Sequence, residues 1–242
     1  MTAQQHQLKS SQRKDKLIKE VWIIGSSYIR RGEEAALKFF GANLGLDANV
    51  HWFGKGGMRW EGVLPCFYGQ LSTQGPPDIL LVHAGGNNLG INSANSLAYT
   101  IKEDLTKLHI KFPAMKIIFS SINERRSWRY GKLSQIIRDR KTINHFVKRT
   151  SVCFKGDVVE HPLLRFYKRS LFISDGVHFS DEGNQLFLSS IRSTLQNFLK
   201  ESKIPTRTIS GATMPIRTFS VTKSSTATVS GHKKNITPIS WP

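Results

Sequence analysis

Cysteine is nearly missing from this 242-residue chain: Cys66 and Cys153 are the only two, far apart and in no metal-like spacing. That excludes a disulfide-stapled scaffold, argues against a zinc site, and fits a reducing compartment. Acidic residues are scarce as well, with 17 Asp and Glu against 35 Lys and Arg, for a formal net charge of +18. No apolar run approaches the roughly 18 residues of a membrane span. The opening MTAQQHQLKSSQRKDK is polar and basic and lacks the apolar stretch of a signal peptide. The expectation is an intracellular protein, cytoplasmic or nuclear. No repeat is visible, and no helix-turn-helix, zinc-finger or RNP-type pattern is present.

What is there suffices for one sizeable core: 39% of the residues are hydrophobic and 10% aromatic. The basic excess points to nucleic acid, an anionic surface or an acidic substrate. Its distribution tempers that reading, since the segment before Glu20 carries about +4 and that after Lys200 about +5, leaving about +9 between them. Three segments result: a basic tail over 1–19, helical near Asp15–Glu20; a folded domain over 20–200; and a Ser/Thr-rich basic tail over 201–242 that reads as disordered.

Val21–Ile24 is a short apolar run ending in Gly25, as a buried parallel strand would be. An amphipathic helix follows over Ser27–Phe40, then a strand at Val50–Phe53, a Gly54-Lys55-Gly56-Gly57 turn, and a helix over Trp60–Leu71 despite Pro65. Ile79–Ala84 is the strongest strand. Leu97, Ile101, Leu105 and Leu108 then form one helical stripe before a strand at Lys116–Phe119. This alternation predicts a three-layer α/β/α sandwich on a short parallel sheet. Further on, the residues predict a helix over Ile136–Val147, a strand within Val152–Val159, and a final helix from Ser180.

Catalytic groups gather at the C-terminal ends of parallel strands. Ser27 follows the first strand, where a helix start lifts a hydroxyl clear of the sheet and offers free N–H groups. Gly57 follows the second strand and Asn87 the third, while Asp175 and His178 precede the last helix. A hydroxyl nucleophile, an imidazole base, an orienting carboxylate and neutral donors can thus converge.

These blocks resemble those of the SGNH, or GDSL-like, hydrolases, over about Val21 to Leu199. Gly25-Ser26-Ser27 is similar to the family's Gly-Asp-Ser, which implies Ser27 as nucleophile. Gly57, with Gly56 second, matches the oxyanion-hole glycine. Gly85-Gly86-Asn87-Asn88 matches Gly-x-Asn-Asp, which implies the Asn87 amide as oxyanion donor. Asp175-Gly176-Val177-His178 matches Asp-x-x-His, with Asp175 orienting the base His178. The resemblance implies serine-dependent hydrolysis of an acyl or O-acetyl ester, with no metal or organic cofactor. The substrate is expected to be an ester-containing small molecule, a lipid or an acetylated glycan.

Two positions depart from the family: Ser26 and Asn88 stand where it has Asp, so negative charge beside the nucleophile is lost. Retuning toward a more anionic substrate is one reading. The other is a catalytically idle pseudohydrolase serving as a binding or nucleic-acid-associated module. A further resemblance, to domains carried by vertebrate mobile elements, goes with that alternative. Arg59, Trp60 and Asn88 are expected to bind substrate, Trp60 as an acyl-pocket wall. The Arg-rich stretch over 125–149 admits a solvated basic face, a rim that holds an anionic substrate, or a nucleic-acid surface with Trp128 and Tyr130 stacking. Non-specific nucleic-acid contact is expected of the tails. His83, inside the strongest strand, reads as a packed, hydrogen-bonded histidine.

Overall fold

Val21–Ile24 and Ile79–Val82 have no polar face because helices cover both sides of the sheet they build. The computed structural model describes residues 18–201. Its elements run β1 Lys19–Gly25, α1 Ser27–Phe39, β2 Ala48–Gly54, α2 Val63–Leu71, β3 Ile79–His83, α3 Ala94–Lys111, β4 Lys116–Ser120, α4 Leu133–Arg149, β5 Asp157–Val159 and α5 Asp181–Glu201, with short 3-10 turns at Trp60–Gly62, Ser151–Phe154 and Arg169–Leu171. All strand pairs are parallel, in the order β2-β1-β3-β4-β5. The chain is therefore an α/β sandwich of three layers.

Successive side chains along a strand point to opposite faces, so each strand feeds two cores. Trp22, Ile24, Leu80, Val82, Ile117 and Phe119 pack under α2, α3 and α4. Val21, Ile23, Ile79, Leu81 and Ile118 pack under α1 and α5. The stripe Leu97, Ile101, Leu105 and Leu108 is fully buried, as its spacing predicts. Pro65 falls in the first turn of α2, where its missing N–H has no intrahelical partner to lose.

One expectation is corrected. Lys19 and Glu20 are not helical but open β1, in register with Ala48 and Asn49. Asp78 holds them there, accepting from Lys19 Nζ at 2.6 Å and from the Glu20 N–H at 2.9 Å. The tails expected over 1–19 and 201–242 otherwise lie outside the described residues. Among those described, no helix is long and apolar enough to cross a membrane.

The strand order reverses between β1 and β3, and ligand clefts of open α/β sheets form at such a switch point. Two glycines permit the close packing there. A Cβ on Gly25 would lie 2.3 Å from the His83 carbonyl oxygen, and one on Gly54 would lie 2.1 Å from the Arg30 backbone nitrogen. Gly54→Ala must therefore push α1 away from β2. We expect it to lower the urea midpoint of unfolding by the equivalent of about 2 kcal/mol or more. Gly56→Ala, where a Cβ meets nothing within 4 Å, is expected to leave the midpoint in place.

Candidate active site

The turn from β1 into α1 is held by backbone bonds. The Ser26 N–H donates to the His83 carbonyl at 3.2 Å, and the Lys55 N–H donates to the Gly25 carbonyl at 2.9 Å. Ser27 is thereby raised at the head of α1, where its N–H is free of intrahelical bonding. Across the cleft, residues 171–180 form a narrow loop closed by a bridge between Phe172 and Phe179. Asp175 Oδ1 accepts the N–H groups of Val177 and His178 at 2.8 and 2.9 Å, which bends the loop back on itself.

The loop brings His178 Nδ1 to 2.6 Å from Asp175 Oδ2 and His178 Nε2 to 2.9 Å from Ser27 Oγ. With the imidazole neutral, Nδ1–H donates to the carboxylate and Nε2 accepts from the hydroxyl. Burial pushes the Asp175 pKa up, but the ring of His178, the two backbone N–H groups and the charge of His178 outweigh it, and the value falls to about 2. Tyr28, directly after Ser27, braces the arrangement: its hydroxyl donates to the Val177 carbonyl, and its ring packs on Phe179 with centroids 4.8 Å apart. Burial pushes the phenol's pKa up, against the pull of Arg125, so the hydroxyl stays a donor.

Gly57, at φ +70°, lines the same cleft, and its N–H has no partner among the described residues. Asn87 also lines it, with its amide held at both ends. Nδ2 donates to the Met58 carbonyl at 2.9 Å, and Oδ1 accepts from Arg125 at 3.1 Å. One amide hydrogen of Asn87 remains for a ligand. The cleft is about 380 Å³ in volume. Arg59 is at its rim, exposed.

Two expected substrate contacts are corrected. Trp60 does not wall the cleft; it is buried in the core, its ring beside Phe119 and its Nε1–H donating to Asp104 at 2.9 Å. The 3-10 turn at Trp60–Gly62 points it inward, and Trp128 lines the cleft instead. Asn88 is fully buried and does not line the cleft. Its Oδ1 accepts the Trp60 N–H at 2.8 Å, while Nδ2 donates to the Glu61 carboxylate at 2.9 and 3.0 Å and to Asn92 at 3.0 Å. An amide is needed there because its partner, Glu61, is already an acid. Ser26, the other departure, is buried, and its carbonyl accepts the N–H groups of Ile29 and Arg30.

His83 is a packed core histidine, bonded through Nδ1 to Ser120 at 2.9 Å, and burial holds its pKa well below the ordinary value. Sequence reasoning did not single out Tyr28 or Arg125. Tyr28 carries one signal, a phenol immediately after the serine; nothing local separates Arg125 from Arg126 or Arg129.

No protein-family model and no curated protein sequence matches the chain. Solved structures do. A psychrotrophic esterase from Pseudoalteromonas sp., solved inhibited by monoethylphosphonate, is 14% identical, with 75% of this chain and 99% of that one covered at a TM-score of 0.61. A member of the lipolytic G-D-S-L family from Veillonella parvula is 13% identical, with 72% and 96% covered at 0.59. A lipase/acylhydrolase from Enterococcus faecalis is 16% identical, with 75% and 97% covered at 0.58. The chain has the SGNH-like hydrolase fold.

Two outcomes follow from the local electrostatics. The depressed Asp175 pKa means its contribution to folding is present above pH 3.8 and lost as pH falls toward about 2. Urea titrations should therefore show wild type losing stability over that range relative to Asp175→Asn. Conversely, Asn88→Asp sets a second carboxylate against that of Glu61. Its penalty, about 1–3 kcal/mol, is absent at acid pH, appears as pH rises above about 4, and is relieved by adding Glu61→Gln.

Proposed function

We propose that the chain is a serine esterase that hydrolyses acyl or O-acetyl esters. One observation carries the reading: an unbroken chain of hydrogen bonds, 2.6 and 2.9 Å long, from Asp175 through His178 to Ser27. It lies in a cleft shared with Gly57 and Asn87.

In the first half-reaction His178 Nε2 takes the Ser27 proton as Oγ bonds to the ester carbonyl carbon. The Gly57 N–H, the Ser27 N–H and the free amide hydrogen of Asn87 accommodate the oxyanion that develops. Collapse breaks the bond to the alcohol oxygen, which receives the proton from His178. A water then gives its proton to His178, attacks the acyl-serine, and releases the acid as the proton returns to Ser27 Oγ. Asp175 stays ionised throughout, keeping the ring in the tautomer that leaves Nε2 free and stabilising the imidazolium. Arg125 and Met58 fix the Asn87 amide in advance, so little reorganisation is needed as charge appears.

This geometry favours a working site over an idle one. The departures at Ser26 and Asn88 lie outside the proton path, and Asn88 serves the loop that carries Gly57. Ester, lipid and acetylated-glycan substrates all fit this chemistry.

The test is hydrolysis of p-nitrophenyl acetate and butyrate by the full chain. Ser27→Ala and His178→Ala should each reduce kcat to background, and Asn87→Ala should lower it by about 10²–10³. A fluorophosphonate probe should label wild type at Ser27 and leave Ser27→Ala unlabelled. Turnover that persists equally in the serine and histidine variants would refute the proposal.

A further inference from the structure

Arg125 is the buried guanidinium of the cleft, with only 8% of its surface exposed. It lies between two aromatic faces, 5.2 Å from the Tyr28 ring centroid and 4.9 Å from that of Trp128. Its hydrogen bond to Asn87 reaches a neutral amide, and its Nε is buried with no partner. No carboxylate pairs with it among the described residues. Burial of an unpaired charge is costly, which is why buried guanidinium groups are normally matched to acids. Arg140 shows the usual solution in this same molecule, lying 3.0 Å from the carboxylate of Glu124 with both side chains 12% exposed. Arg125 lacks this.

The surroundings compound the imbalance. The glycine at 86 leaves room for the guanidinium, since a Cβ there would sit 2.7 Å from Nη2. Arg59 and Arg129 line the cleft, both exposed and neither in an ion pair among the described residues. The one carboxylate that lines it, Asp175, is occupied by His178 and two backbone N–H groups. A neutral ester would leave this positive field unanswered.

We infer that the cleft selects esters bearing a permanent anionic group, a carboxylate or phosphate close to the scissile bond, with Arg125 as its anchor and Arg59 and Arg129 at the rim. The inference rests on the esterase reading for its chemistry, but the anion subsite is testable without turnover. Arg125 also positions Asn87, and the two roles separate: loss of positioning slows all esters alike, whereas loss of an anion subsite changes the ratio between charged and neutral ones.

The experiment compares kcat/KM for matched esters. 4-Nitrophenyl hemisuccinate carries its charge on the acyl side and is set against 4-nitrophenyl butyrate. 4-Acetoxybenzoate carries it on the alcohol side and is set against its methyl ester. At low ionic strength at least one charged ester should exceed its neutral match by about ten-fold or more, the effect of one charge-assisted hydrogen bond. The pair that shows it assigns the charge to the acyl or alcohol side. The ratio should fall in Arg125→Gln, recover in part in Arg125→Lys, and fall with added salt through the exposed rim.

Arg59→Gln, at an exposed position, supplies the same readout should Arg125→Gln not fold. Calorimetric titration of the Ser27→Ala protein with methyl hemisuccinate and with methyl phosphate reads the subsite alone. Binding there, weakened by adding Arg59→Gln, would uphold the subsite even if no ester were turned over. Charged and neutral ligands bound and turned over alike, or a ratio unmoved by the arginine changes, would overturn the inference.

Discussion

The end of β1 lies so close to the end of β3 that no side chain fits between them. Gly25 occupies the contact, the Ser26 N–H bonds across it to the His83 carbonyl, and the Lys55 N–H bonds to Gly25 from the other side. Three loops are thereby referred to one point on the sheet. Ser27 is positioned by the first, Gly57 by the second and Asn87 by the third. Side-chain chemistry at this site depends on backbone spacing that an added methyl group would spoil.

A second set of bonds ties the opposite wall to the first. Tyr28 reaches from α1 to the Val177 carbonyl, and the Gly176 carbonyl accepts the N–H groups of both Arg126 and Ser127. The loop that carries Asp175 and His178 is therefore joined to the loop that carries Arg125 and Trp128. The arginines and the imidazole are thus held by one connected set of hydrogen bonds.

The parts legible in the sequence are those set by local rules. Ser27 is visible because an apolar strand, a glycine and a helix start occur in immediate succession. Asp175 and His178 are visible as a pair because a turn brings residues three apart together. The parallel sheet follows from alternation of apolar runs and helical stripes. What the sequence hides is set by distant partners. Trp60 sits beside a glycine turn, yet its ring belongs to the core because Asp104 and Phe119 receive it there. Asn88 reads as a substrate contact until Glu61 is seen to claim its amide. Arg125 looks like its neighbours until the rings of Tyr28 and Trp128 close over it. Lys19 and Glu20 join the sheet through Asp78, 59 and 58 residues away, which no local pattern announces.

The Asn88–Glu61 contact has an evolutionary corollary. An acid at both positions would set two carboxylates about 3 Å apart, one at the buried residue 88 and one on the exposed Glu61, so an acid at either position disfavours an acid at the other. Lineages of this fold should therefore exchange the charge between the two loops as a unit: Asp with a neutral residue opposite, or Asn with Glu opposite. In this chain a carboxylate stands one hydrogen bond away from Asn88, on Glu61.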